Sequence, residues 1–406
     1  MRMSGPSHDG DDKIGFEAAI ALIASADGPL GTETVPLAEA AGRVLAQPLH
    51  ARSDVPRRAV AAMDGYAVVD AGTQAGEALR VVGESCAGAG FAGRVALGEA
   101  VRIFTGAPMP EGSDRCIMQE YATREGDVVR FNRGYGPAWH VRAPGSDFSA
   151  GALLLGAGAR LTPRAMVAAA AADVADLLVA ARPRVAIIGT GDELAAPGQA
   201  YQREDAIPES VTFGVAAMMQ QAGAAIVYRA TGMDQLPALE ALAAAALDAA
   251  DLVIVTGGAS VGERDFARPM FAAHGLELLF AKVAIKPGKP VWLGRVRGKW
   301  VLGLPGNPTS AMVTARLFLL PLLARLQGRR VDDELRLRTL PLAAPLGAAG
   351  SRESFVRAHW DDAGLTALGN QDSGAQGALA AADWLIRCPA GQPALGCGAM
   401  VSALPF

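Results

Sequence analysis

The sequence predicts a multidomain protein of α/β and β architecture. It comprises a central α/β domain with a mostly parallel sheet, an inserted β-rich domain, a helical and loop-rich connecting domain and a small C-terminal β-domain. Three observations predict this. At 406 residues the chain exceeds what one core organises, because domains run to about 100–200 residues. From residue 183 onward apolar strands alternate with helical stretches, which is how parallel βαβ units covered on both faces read. On either side of that region the texture changes to short alternating runs punctuated by Gly, Pro and charged turns.

Taken in order, residues 14–50 read as a helix over "IGFEAAIALIASA", a loop, and a second amphipathic stretch, "VPLAEAAGRVLAQPL". In that stretch Leu37, Ala41, Val44 and Leu45 fall at helical spacing. Residues 51–140 carry the runs "YAVVD", "LRVVGES", "AVRIFTG", "RCIMQEY" and "DVVRF", which read as strands of a β-rich domain. Residues 141–180 return to Gly-rich loops and an Ala-rich helix. The β-rich domain is therefore inserted into a connecting domain made of 1–50 and 141–180.

The α/β domain, 181–328, opens with the strand "RVAIIG" and a helix near 210–222. It continues with strand "AIVYRAT", a helix near 235–248, strand "DLVIVTGG" and a helix near 263–273. Strands over "LELLFAKVAI", "VWLGRV" and "KWVLGL" follow, then a last helix. Asn307 before Pro308 predicts the start of that helix, since Asn caps well and Pro at the first helical position loses no needed N–H. The runs "LRLRTLPL", "SFVRAHW" and "GLTALG" give the C-terminal β-domain, 329–406.

Composition narrows function. Hydrophobic residues make up 51% and charged residues 19%, with 48 Gly and 25 Pro, so the chain folds rather than staying disordered. A formal net charge of −4 offers no global attraction to nucleic acid or an anionic membrane. The opening residues, "MRMSGPSHDGDDK", are acidic and lack an apolar stretch, and no run reaches about 18 uninterrupted apolar residues. A cytoplasmic protein is expected. Cys86, Cys116, Cys388 and Cys397 show no C-x-x-C spacing and are expected to be reduced, and the five histidines show no zinc-ligand spacing.

In parallel α/β sheets ligands bind beyond the carboxyl ends of the strands. Four loops fall there: "GTGDEL", "TGGASVGERD", "IKPGKP" and "LPGNPTS". Together they offer carboxylates, lysines and backbone N–H groups near helix starts, the groups that a phosphate-bearing ligand with a hard divalent cation uses. Singly each is weak. Glu193 and Asp265 are equally well read as acids stabilising helix N-termini, and Asp64-Gly65 as a hairpin turn. Gly258-Ala259-Ser260-Val261-Gly262 matches G-x-S-x-G after a strand and raises a serine hydrolase as rival. Its triad would need an acid and then a histidine after Ser260. Only His274 and His359 follow, with Asp361 and Asp362 on the wrong side of His359, so that reading is disfavoured.

Taken together, "AAMDGYAV", "FTGAPMPEGSDRCIMQE", "IIGTGDEL", "TGGASVGERDF", "IKPGKPVWLG", "GLPGNPTSAMVT" and "NQDSGAQGAL" resemble the molybdopterin molybdenumtransferase family, the MoeA and gephyrin E-domain type. The resemblance covers nearly the whole chain. It implies an α/β domain of the molybdopterin-binding type within an elongated four-domain homodimer whose active cleft lies between subunits. It also implies insertion of molybdate into adenylated molybdopterin, with hydrolysis of the adenylate, release of AMP and a requirement for Mg²⁺. A molybdopterin adenylyltransferase and molybdoenzyme acceptors are the implied protein partners.

Carried over by motif, the implied catalytic residues are Asp64, Asp265, Lys286 and Lys289. The implied metal ligands are Glu193, Asp234 and Asp265. Thr105, Asp147, Gly257, Gly258, Ser260, Pro305, Gly306, Asn307 and Ser373 are implied to bind substrate. The chain departs from the family pattern at Ala59, Val60 and Ala61, where Asp-Asn-Ser is usual. It departs also at Ser146, usually Glu, and at Val211, usually Asn. These departures keep open a second reading, a divergent non-catalytic homologue that binds molybdopterin or acts as a chaperone.

Overall fold

The structure, a computed structural model, describes residues 13–132, 134–257 and 265–406. Its centre is a six-stranded sheet in the order Ala225–Gly232, Arg184–Thr190, Leu252–Thr256, Lys299–Leu304, Trp292–Val296, Glu277–Phe280. The first four strands pair in parallel, and Trp292–Val296 runs against both its neighbours. The apolar runs predict this, because every residue from Leu252 to Thr256 is buried and both faces are covered. Ile187, Ile254 and Leu302 pack with the helices Val211–Gln221 and Pro308–Thr314 on one face. Ala186, Ile188, Val253 and Val255 meet the helix Leu236–Ala249 on the other.

The last helix runs from Pro308 to Leu326, with a π-helical stretch at Ala315–Leu319. By length and composition it is apolar enough to cross a bilayer, yet 83% of that window is buried inside the protein, so it is the core helix of this domain. The helix expected near 263–273 appears only as Pro269–Ala272. Residues 258–264 lie outside the described ones.

The β-rich domain is a six-stranded sheet in the order Arg115–Met118, Gly65–Val68, Glu99–Ile103, Ala78–Ser85, Val128–Phe131, Ala122–Glu125. Alternation along Gly65–Val68 sends Ala67 to one small core with Val101 and Ile103, and Tyr66 and Val68 to another with Ala100 and Ile117. The C-terminal domain is a second mixed sheet, with Glu353–Asp361, Trp384–Cys388 and Met400–Pro405 at its centre.

Three expectations need correction. The stretch around Leu37–Leu45 is not a helix. The strand Thr32–Pro36 pairs with Asp176–Ala180, a single 3₁₀ turn covers Leu37–Glu39, and Val44 and Leu45 bridge to Arg160 and Val179. Its apolar residues line the connecting-domain core in extended backbone, and Gly42 at φ 76° sits where a helix would have to continue.

The helix Phe16–Ala24 does form, but it packs on the α/β and C-terminal domains rather than with the rest of 1–50. Phe16 meets Phe318 and Phe355 at ring centroid distances of 5.7 and 5.1 Å. Finally, "LELLFAKVAI" is not one strand. Glu277–Phe280 stays in the central sheet, Lys282–Val283 pairs with Lys13–Ile14, and Ile285–Lys286 pairs in parallel with Glu353–Ser354 of the C-terminal sheet.

Candidate functional site

The four parallel strands end in register. Thr190 stands opposite Gly232, Gly189 opposite Thr256, and Thr256 opposite Leu304. Beyond these carboxyl ends lies a cavity of about 680 Å³, walled by the loops that follow each strand. This is the position where parallel sheets bind ligands, and the size suits a ligand of a few tens of heavy atoms.

Glu193, Asp234, Asp265, Gly257, Pro305, Gly306 and Asn307 all line it. The two glycines let the loops close up: a Cβ on Gly257, at φ 100°, would lie 2.4 Å from the Thr190 carbonyl oxygen, and one on Gly306 would lie 3.2 Å from the Gly257 Cα. Asp192 accepts a hydrogen bond from the Asp234 amide at 2.9 Å and so fixes the second loop against the first. Burial pushes the Asp265 carboxyl up to about 6. The Ala267 amide and Arg268 pull against that shift, and Asp234 adds to it.

Asn307 opens the helix but does not cap it. Its side chain instead donates to Ser373 Oγ at 2.9 Å, and the Thr309 amide donates to the Ser373 carbonyl at 3.0 Å. The C-terminal domain therefore brings its Asn370–Ala375 loop to the cavity rim, where Gly374 and Gln376 join the lining.

Other expected residues lie elsewhere. Asp64 and Thr105 come together in the β-rich domain, with Asp64 Oδ1 accepting from both the amide and the hydroxyl of Thr105 at 2.7 Å. Those bonds hold the Asp64 carboxyl below its usual range, with Arg102 assisting and slight desolvation opposing. Asp147 is exposed on a loop whose amide donates to the Val55 carbonyl. None of these three lines the cavity. Lys286 and Lys289 are exposed and flank the turn between the central and C-terminal sheets; Pro290 lines the cavity, whereas the lysines do not. Gly258 and Ser260 fall outside the described residues.

Several residues at the site escaped the sequence reading. Glu209 is 5% exposed, lines the cavity, and accepts from the Thr212 amide at 2.8 Å and hydroxyl at 2.5 Å, so that it caps the helix Val211–Gln221. A carboxylate immediately before the helix start, able to accept the free first-turn amides, was the available signal. Arg357, 1% exposed, donates to the carbonyls of Asn370 and Asp372 at 3.0 and 2.9 Å, and also to Ala375 and Thr309 Oγ1. It clamps the loop that carries Ser373. Its signal was a charge at an inward position of "SFVRAHW", where a buried cation needs several acceptors.

Three of the residues that depart from the family pattern have a structural place. Val60–Ala61 pairs with Val141–Arg142 in a short ladder, and Val211 opens its helix and presents an apolar wall to the cavity.

Among the described residues no three of His, Cys, Asp or Glu converge closely enough to hold a metal ion. Glu193, Asp234 and Asp265 nevertheless present hard oxygen donors to one cavity, a donor set that fits Mg²⁺ held by one or two carboxylates with ligand oxygens and water. Neither His274 nor His359 lines the cavity; His274 contacts the Glu240 carbonyl and Arg297 instead. A Ser-His pairing there has no support among the described residues.

Known proteins match this arrangement along its whole length. Residues 14–172 match the MoeA N-terminal region (domain I and II), residues 186–325 a probable molybdopterin binding domain, and residues 339–406 the MoeA C-terminal region (domain IV). A molybdopterin molybdenumtransferase of Haemophilus influenzae is 37% identical over 303 residues, 74% of each chain. A relative of the same name from Synechococcus elongatus is 31% identical over 402 residues, 96% of this chain and 98% of its own. The crystal structure of the molybdopterin biosynthesis MoeA protein from Pyrococcus horikoshii, 28% identical, covers 97% of this chain and 99% of its own with a TM-score of 0.77. With seven motifs in order and the same folded course from the first helix to the last strand, the chain belongs to the molybdopterin molybdenumtransferase family.

Proposed function

We propose that the protein is a molybdopterin molybdenumtransferase that inserts molybdate into adenylated molybdopterin, with hydrolysis of the adenylate and release of AMP. The observation that carries this reading is the cavity beyond the parallel strands. Carboxylates from three loops and the Gly257 and Gly306 backbone line it together. A phosphoanhydride fits such a wall through amide groups at the helix start. Mg²⁺, held by one or two of Glu193, Asp234 and Asp265 together with ligand oxygens and water, would supply charge neutralisation between those carboxylates and the phosphates.

Asp265, raised to about 6 without a cation by burial, would gain its charged form from a bound Mg²⁺. Lys286 and Lys289 add cations beside the cavity, and Ser373, held by Asn307 and the Arg357 clamp, contributes a hydroxyl at its rim. Asp64, Thr105 and Asp147 stand apart from this cavity, which supports a homodimer in which each cleft combines the α/β domain of one subunit with the β-rich domain of its partner. Four free cysteines suit the reducing cytoplasm. A molybdopterin adenylyltransferase upstream and molybdoenzyme acceptors downstream are the partners this reaction calls for.

Incubation of the purified protein with adenylated molybdopterin, molybdate and Mg²⁺ tests the proposal, which predicts stoichiometric AMP release and active cofactor. The apolar wall at Val211 favours one second reading, a homologue that holds molybdopterin without reacting. That protein would bind the adenylate and release no AMP.

A further inference from the structure

Arg102 lies opposite Tyr66 in the pairing of Glu99–Ile103 with Gly65–Val68. Its guanidinium sits 5.3 Å from the Tyr66 ring centroid and 4.7 Å from that of Phe104. One amino group donates to the Gly65 carbonyl at 2.9 Å and the other to Gln119 Oε1 at 2.5 Å. The Gln119 backbone N–H donates to the Asp64 carbonyl at 3.0 Å. The peptides on both sides of Gly65 are thereby tied down, and Phe104, on which Arg102 stacks, directly precedes Thr105.

Little slack exists there. A Cβ on Gly65 would lie 2.0 Å from the Ile117 carbonyl oxygen, so that strand already presses on its neighbour. Thr105 holds the Asp64 carboxylate from the front, while Arg102 and Gln119 hold its backbone from behind. A planar guanidinium with a fixed fork of donors can stack and bond at once, which a lysine cannot do.

We propose that Arg102 is the positioning residue of the Asp64–Thr105 pair, fixing the orientation of the Asp64 carboxylate through Gly65, Gln119 and Phe104. The inference rests on the reading that Asp64 serves the reaction. Arg102 acts through Asp64 and Thr105 without itself touching substrate. Its charge also favours the ionised carboxylate, adding to the larger effect of the two Thr105 bonds. The other titratable group facing Asp64 is the buried Cys116 thiol, pushed up to about 11 chiefly by burial and left neutral.

The test uses the full-length protein as wild type, Arg102→Met, Arg102→Lys and Asp64→Asn. AMP release is measured across pH, with thermal unfolding and carbon-13 NMR titration of Asp64 in the absence of substrate. For Arg102→Met the expected result is a fall in kcat of about tenfold to a hundredfold, the scale of a small misplacement of a reacting group, with little change in KM. Asp64 should titrate at higher pH in that variant. Arg102→Lys should recover the titration but not kcat, since the charge returns without the fork.

Wild-type kcat in Arg102→Met, beside an inactive Asp64→Asn, would overturn the role of Arg102 alone. So would a loss accompanied by a lowered unfolding temperature and an unmoved Asp64 titration. Full activity in Asp64→Asn would overturn the role of Asp64 itself.

Discussion

Two aspartates assigned to one reaction sit in opposite surroundings. Asp265, in the lining of the α/β cavity, is half-buried near a second acid and is raised to about 6, chiefly by burial. Asp64, on the β-rich domain, accepts two hydrogen bonds from Thr105 and lies below the usual carboxylate range. Environments that push two carboxyl groups apart give them different tasks. Asp265 is suited to being charged by a neighbouring cation, and Asp64 to remaining a charged, fixed acceptor without one.

The most damaging way to probe that contrast is Asp64→Asn. It should lower AMP release about a thousandfold, within the usual worth of a placed acid–base group, with only a small fall in the unfolding temperature at neutral pH from the weakened Thr105 bonds. Asp265→Asn should cost about a hundredfold and should raise the Mg²⁺ concentration needed for half-maximal turnover. The stability effects have opposite signs. The folded state disfavours ionised Asp265, so its cost is absent below the ordinary value of 3.8 and grows as pH rises through about 6. Asp265→Asn should therefore raise the unfolding temperature at neutral pH. Asp64 contributes stability above its ordinary value and loses it as pH falls through its lower folded value, so Thr105→Val should weaken the protein at neutral pH and cost progressively less as pH falls through that acid range.

Smaller effects follow from the flanking groups. Lys286→Ala should weaken binding of adenylated molybdopterin by about 1.5–3 kcal/mol, the range for hydrogen bonds to charged groups, with the fold intact by circular dichroism. Asn307→Ala removes one neutral hydrogen bond to Ser373. It should cost about 1 kcal/mol in binding, measured by calorimetry.

The α/β domain was the most legible part of the chain, because its strands are continuous apolar runs separated by helical periodicity, and the cavity follows from where those strands end. The residues that line it were found where a loop carried an unusual polar group, as at Glu193 and Asp265. Legibility failed where long-range pairing decides. Leu37–Leu45 has helical spacing, yet the Asp176–Ala180 strand captures the segment before it. Lys286 looked like the end of a central strand, yet Glu353–Ser354 recruits it to another sheet. Asn307 reads as a cap, but Ser373, 66 residues away in sequence, takes its side chain. Arg357 and Arg102 work through backbone carbonyls, which leave no motif.

The most direct measurement is a single-turnover assay of wild type against Asp265→Asn with adenylated molybdopterin, molybdate and Mg²⁺, quantifying AMP and molybdenum cofactor together. The account predicts one AMP released for each cofactor formed by the wild type, and release about a hundredfold slower in the variant. Binding of the adenylate by wild type with no AMP released would contradict it.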